Sequence, residues 1–330
     1  MKKRNHSVLR DIRWAGLGAL ALALSACCTT PPPSSSSVSR IPGTAQVFAT
    51  PEQAVDAYVS AIRSDNRPEL LKILGPNAAK LIYSGDPVAD KTWHAKFLAS
   101  YDSAHEIESE GDAKDVLVIG DEEWPVPIPL VRAGDGWRWD TAAGENEILN
   151  RRIGHNELMA VGVSLTYVEA QREFAALSDD KGHAEYAQKF VSSTGRHDGL
   201  YWPANADETE SPLGPLVAEA RAEGYAQVGK QDAHKRTPYH GYYYKILKQQ
   251  GASAAGGAKA YIVNGHMTGG FALIAFPAKY GDSGVMSFIV NQNGIIYEKN
   301  LGQDTGKIAR HMDIYNPDQS WKISDAADAD

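Results

Sequence analysis

The residue types that could do chemistry lie mostly beyond position 178. Ser283 stands in Gly281-Asp282-Ser283-Gly284, and a serine becomes a nucleophile only where a histidine base and an orienting carboxylate are brought to it. His234 and His240, or His197 with Asp198, are of metal-ligating type, but they have neither His-Glu-x-x-His nor paired Cys-x-x-Cys spacing. Asp179-Asp180-Lys181-Gly182 lacks the alternating ligands and distal glutamate of a calcium loop. Gly265-His266-Met267-Thr268-Gly269-Gly270 has glycines but no Lys-Ser/Thr and no following helix, so it does not read as a phosphate cradle. Two aromatic sets remain. Trp93, His94, Trp124, Trp137 and Trp139 can line an apolar pocket or fill a small core, and Tyr239, Tyr242, Tyr243, Tyr244, Tyr261 and Tyr297 can pack a sheet on a helix or offer a face to a glycan, peptide or protein. For each of these groups the plain reading, a turn, a solvated loop or a packed core, outweighs the chemical one. The catalytic set is therefore unknown, with no metal or cofactor site assigned.

The N-terminus is more specific. Lys2, Lys3, Arg4, Arg10 and Arg13 precede an apolar run from Trp14 to Ala26, too short for a membrane-spanning helix of about 20 residues and of the length of a secretory h-region. It ends in Leu24-Ser25-Ala26-Cys27, which resembles a bacterial lipobox. The resemblance implies cleavage before Cys27 and acylation of its thiol and its new amino group. Cys28 at the next position, in place of aspartate, favours sorting to the outer membrane. With Cys27 lipidated and Cys28 adjacent to it, no structural disulfide is expected. Thr29 to about Gly43, with three prolines and four serines in succession, reads as a tether.

Composition agrees. The 330 residues are 43% apolar and 22% charged, with a net charge of −8, which argues against a nucleic-acid partner and suggests about two domains of ~150 residues each. Removing residues 1–26 takes away five basic residues and Asp11, which moves the charge to −12. Such a body is repelled by anionic lipid, so attachment would rest on the acyl chains.

The elements that must position these residues fall into two regions. Within 46–145, Thr50-Pro51-Glu52-Gln53 predicts a capped helix start. A second helix is predicted over Pro68–Leu74 and a third around Thr92–Ser100, followed by strands at Asp115–Ile119, Trp124–Leu130 and Trp137–Asp140. Pro125, Pro127 and Pro129 make the middle run an edge strand or an extended arm. Helices followed by a curved antiparallel sheet resemble the cystatin-like or nuclear-transport-factor-2-like fold. Within 146–330, Glu147–Leu177 reads as a long helix with a Leu158, Val161, Leu165, Val168 stripe. Strands are predicted at Gly241–Leu247, Ala260–Val263, Phe271–Phe276, Val285–Val290 and Ile295–Tyr297, the last two joined through Asn293-Gly294. A long helix followed by an antiparallel meander resembles a type IV pilin head, although pilins carry their apolar helix at the extreme N-terminus.

Five segments carry a closer resemblance: Arg151–Leu158, Asp198–Pro203, Tyr239–Tyr243, Gly269–Ala272 and Tyr280–Met286. They resemble the bacterial family catalogued as domain of unknown function 2950, over most of the chain beyond the tether. The resemblance implies export and no established activity. Gly281–Gly284 also resembles the nucleophile segment of chymotrypsin-like serine proteases, but continues Val285-Met286 where those enzymes have a further glycine and proline.

The expectation is an α+β protein: signal peptide 1–26, lipidated Cys27 and tether 27–45, a cystatin/nuclear-transport-factor-2-like domain 46–145, and a pilin-head-like domain 146–330. Its function is read as that of an outer-membrane lipoprotein facing the periplasm. It would be a non-catalytic binding or envelope-assembly protein whose partner is an envelope protein, peptide or glycan. The alternative is a periplasmic hydrolase using Ser283.

Overall fold

The computed structural model describes residues 45–178, 184–204, 208–225 and 237–325. The leader, Cys27, the tether up to residue 44, the 179–182 motif and His234 lie outside the described residues.

Helix α1 (Pro51–Arg63) starts as its sequence dictates, with the Thr50 hydroxyl accepting from the Gln53 N–H at 3.3 Å. Helix α2 (Arg67–Leu74) is capped by Asn66 and stopped by Gly75 at φ +88°, a conformation that favours glycine. A 3₁₀ turn (Pro76–Ala78) and α3 (Ala79–Ile82) lead to α4 (Pro87–Ser103). That helix begins five residues before the expected Thr92, because Asp86 caps it and Pro87 takes its first position.

Strands β1 (His105–Ser109), β2 (Lys114–Ile119), β3 (Trp124–Pro125), β4 (Leu130–Ala133) and β5 (Gly136–Trp139) form an antiparallel sheet of order β1-β2-β4-β5, with β3 also on β2. The proline-rich run pairs only at Trp124 and Pro125 and resumes as β4 at Leu130. Val55, Val59, Ile62, Leu70 and Ile73 bury against Leu117, Ile119, Leu130 and Trp139, each large side chain contributing about 1.5–3 kcal/mol. The Trp139 indole N–H meets the Ala54 carbonyl at 3.2 Å, so its burial leaves no polar orphan.

Helix α5 (Thr141–Ser178) starts six residues before the expected Glu147. Ala142 and Ala143 are strong helix formers, and Thr141 fixes the first turn by donating to the Leu74 carbonyl at 2.7 Å. Position 145–146, where the sequence suggests a domain boundary, falls inside this helix. Helix α6 (Gly214–Ala222) follows. Strands β6 (Tyr242–Leu247), β7 (Gln249–Gln250), β8 (Lys259–Ala260), β9 (Ile262–Val263), β10 (His266–Met267), β11 (Ala272–Pro277), β12 (Met286–Asn291), β13 (Ile296–Asn300), helix α7 (Thr305–His311), β14 (Ile314–Tyr315) and β15 (Lys322–Ile323) complete the described chain.

The main C-terminal sheet has the order β15-β13-β12-β11-β6 and is antiparallel throughout. Helix α5 packs on β11 and β12, and Tyr167 donates its hydroxyl to the Ala272 carbonyl at 3.2 Å. The fold is thus α+β, with one large core under the C-terminal sheet and one inside the β1–β5 layer.

One expectation needs correction. Ala260–Val263 is not one strand: Lys259–Ala260 pairs with β7 and Ile262–Val263 with β10. The break falls at Tyr261, which is fully buried and donates to Gln250 Oε1 at 2.9 Å. Asn293-Gly294 does close the β12–β13 hairpin, but with a five-residue loop, since the last pair is Val290 with Ile296. Inside it the Gly294 N–H donates to the Asn291 carbonyl at 2.9 Å, with Gly294 at φ +78°. Among the described residues no helix is long and apolar enough to cross a membrane.

Candidate functional site

Four stretches distant in sequence meet at one seam: the start of α4, the middle of α5, the turn at Tyr239–Tyr242 and the loop 279–286. Asp86 is the first anchor. It is buried, and its Oδ1 accepts from the N–H groups of Val88 and Ala89 at 3.1 Å each, capping α4. Its Oδ2 accepts from the Tyr225 hydroxyl and the Gly241 N–H, both at 2.9 Å. Burial and the adjacent Asp86 carboxylate push the Tyr225 phenol up, so it stays a protonated donor.

The turn that presents Gly241 is a two-residue hairpin in which Tyr239 and Tyr242 exchange backbone hydrogen bonds. His240 (φ +46°) and Gly241 (φ +73°) are both left-handed, as a type I′ turn requires. Glycine fits there, while histidine bears a cost of about 1 kcal/mol. A Cβ at position 241 would also meet Asn156 Nδ2 at 2.5 Å, so the turn must sit against α5 with no side chain between.

Successive α5 residues reach different neighbours. Arg152, largely desolvated, donates to the Lys80 and Leu81 carbonyls. His155 lies edge to face with Trp93 of α4 at 5.5 Å and with His240 at 6.1 Å. Asn156 donates through Nδ2 to the Ser283 carbonyl at 2.9 Å, while its buried Oδ1 has no partner. Glu157 Oε1 accepts from the N–H groups of Val285 and Met286, both at 2.9 Å, where β12 begins. Tyr242, buried and facing Glu157, has its phenol pushed up and donates to the Met286 carbonyl at 2.9 Å.

Burial, the neighbouring His240 and Lys96 push the His155 imidazole down to about 4, against the pull of Glu223. His240 Nε2 stands 3.2 Å from Glu223 Oε2, but the geometry is not that of a hydrogen bond and this buried nitrogen has no hydrogen-bond partner.

Ser283 is fully buried. Its hydroxyl accepts from the Lys279 N–H at 2.9 Å and donates to the Lys279 carbonyl at 3.1 Å. Asp282 pairs with Lys279 Nζ at 2.8 Å, and the Gly281 N–H closes a turn on the Gly284 carbonyl at 2.9 Å. Gly-Asp-Ser-Gly here is a turn that pins a loop, with its serine committed to backbone.

The remaining sequence candidates are scattered. His197 stacks on Trp202 at 4.3 Å. Burial pushes Asp198 up, but hydrogen bonds from Lys189 Nζ at 2.8 Å and from the Ser193 N–H and hydroxyl at 2.7 and 3.0 Å prevail and hold it at about 2. Trp137 and Trp139 fill the core, whereas Trp93 and Trp124 are 38% and 41% exposed, so the tryptophans do not line one pocket. Tyr239, Tyr242 and Tyr261 are buried, and Tyr243, Tyr244 and Tyr297 half-buried. Among the described residues no group of three or more His, Cys, Asp or Glu is placed to hold a metal. A cavity of about 440 Å³ lies elsewhere, between Ile308, Met312, Ile314 and Trp321, and shares no residue with the seam.

Sequence reasoning missed Asp86, Glu223 and Tyr225. Asp86-Pro87 does carry a readable signal, an N-cap followed by proline at the first helical position. Nothing near Glu223 or Tyr225 in sequence announces their partners.

Three of the segments singled out in sequence, Arg151–Leu158, Tyr239–Tyr243 and Tyr280–Met286, are those the fold brings together at this seam. No curated protein and no solved structure matches the chain. A family model described as "Protein of unknown function (DUF2950)" matches residues 45–323, nearly all of the described chain, and the protein belongs to that family.

Proposed function

We propose that this is an exported lipoprotein, held in the outer membrane by acyl chains on Cys27 and facing the periplasm, whose folded body acts in binding or envelope assembly without catalysis. Anchoring is supported by the basic flank, the short apolar run and Leu24-Ser25-Ala26-Cys27. More than one acyl chain satisfies the need for two membrane signals, each buried CH₂ contributing about 0.8 kcal/mol.

The observation that carries the non-catalytic reading is how the seam spends its polar groups. Asp86, Asn156 and Glu157 bond backbone of neighbouring segments, and Ser283 that of its own loop. A nucleophile needs a free hydroxyl beside a base, and Ser283 has both hydroxyl bonds on Lys279.

The test follows the full chain in a Gram-negative host fed labelled palmitate. Wild type should carry label and fractionate with outer membrane, and Cys27→Ser should lose both. Unchanged extraction with no loss of acyl mass overturns the anchoring. A serine-directed phosphonate separates the second part: labelling of wild type but not of Ser283→Ala would establish the hydrolase instead. Crosslinking in intact cells then identifies the partner.

A further inference from the structure

The seam contains two imidazoles that the joints described above leave unused. They come from elements far apart in sequence, His155 from α5 and His240 from the 239–242 turn, and their ring centroids are 6.1 Å apart at 79°. On the far side of His155 stands Trp93 of α4, also edge to face. On the far side of His240 stand Tyr239, Tyr225 and the Glu223 carboxylate. A continuous row therefore runs from α4 through α5 and the turn to the end of α6. We propose that His155 is a pH-sensitive latch on this seam: uncharged, it packs edge to face between Trp93 and His240 and holds α4 against the 239–242 turn; protonated, it is repelled by Lys96 and loosens that contact.

The charges facing the pair decide the direction. From α4 comes the Lys96 ammonium; from the end of α6, Glu223; from the turn, Tyr239; and beneath the turn lies the Asp86 carboxylate. A proton on His155 meets a second imidazole and Lys96, with only Glu223 opposing. Protonation of His155 is thus the disruptive event.

Linkage gives the same sign. His155 is held down to about 4 when packed, while an imidazole released to solvent binds its proton near its ordinary value of 6.5. Acidification through that interval favours the released form. Asp86 still ties the start of α4 to the turn, and Arg152 and Lys279 tie residues 80–83 to α5 and the loop, so the loosening is local to the Trp93–His155–His240 contact, with the β11–β12 core intact.

Amide hydrogen exchange on the full chain in detergent, between pH 7 and pH 4.5 and corrected for intrinsic rates, tests this. Exchange over residues 86–97 and 237–242 should rise at least tenfold on acidification in wild type, with β11 and β12 remaining the slower to exchange. In His155→Phe, which keeps an aromatic edge beside Trp93, it should stay flat. An equal rise in the variant, or no rise in wild type, overturns the proposal. If His155→Phe fails to fold, judged by circular dichroism at pH 7, the wild-type His155 Cε1–H signal decides by NMR: titration that coincides with the exchange rise supports the latch, and titration outside that interval refutes it.

Discussion

The Gly241 N–H donates to Asp86 Oδ2 at 2.9 Å across 155 residues of sequence. The same carboxylate caps α4 through its other oxygen, so one buried side chain both starts a helix and fastens it to a distant turn. Asp86→Ala would orphan four donors at once: two α4 N–H groups, the Tyr225 hydroxyl and the Gly241 N–H. The expected loss is about 3 kcal/mol or more, read as a lower denaturant midpoint. Thr50→Ala, which removes one exposed cap bond, should cost only about 1 kcal/mol.

Glycine substitutions should separate by environment. At Gly241 alanine meets both a left-handed backbone and Asn156 at 2.5 Å, so Gly241→Ala is expected to destabilise by about 2–4 kcal/mol. Gly154 lies inside α5 with nothing within 4 Å of the position a Cβ would take. Gly154→Ala should stabilise by up to about 1 kcal/mol through helix propensity. Thermal melts of the two variants, compared with wild type, give the opposite signs directly.

Ser283→Ala tests a structural serine. Loss of the hydroxyl of buried Ser283 leaves the Lys279 N–H and carbonyl without their side-chain partner at part-buried bonds, which should lower stability by about 1–2 kcal/mol. Calorimetry would show this as a fall in Tm. An unchanged Tm would contradict the turn-pinning role.

Global stability should also depend on pH through His155. Its pKa is lower in the folded state, so the unfolded chain binds the proton first and stability falls as pH drops from the ordinary 6.5 toward about 4. The full interval corresponds to about 3 kcal/mol. Chemical denaturation at pH 7 and pH 4.5 should show a smaller difference for His155→Phe than for wild type.

The sequence was most readable where a local rule decides the outcome. Thr50 and Pro51 place the start of α1, Gly75 the end of α2, and short continuous apolar runs bounded by turn residues the strands β2, β11 and β12. Strand β1, His-Glu-Ile-Glu-Ser, has one apolar residue and exists because β2 offers it an edge along its whole length. Helices α6 and α7 have no side-chain N-cap, and α7 contains Gly306; each is held by packing, through Val217 and Ala220 in one and Ala309 in the other. The seam was legible only in pieces. Its α5, turn and loop segments stand out in sequence, but the bonds from Asp86 to Tyr225 and from Asn156 to Ser283 link positions 139 and 127 residues apart, and no local pattern encodes such a pairing.

The division of labour within Asp86 also sets an order of assembly. As the chain is made from its N-terminus, Oδ1 finds the Val88 and Ala89 N–H groups within three residues, and α4 can be capped at once. Oδ2 must wait in water until residues 225 and 241 have followed. Because bringing together partners so far apart carries a loop-closure cost, the seam should be among the last parts of the molecule to form, with α4 capped while the outer side of Asp86 is still wet.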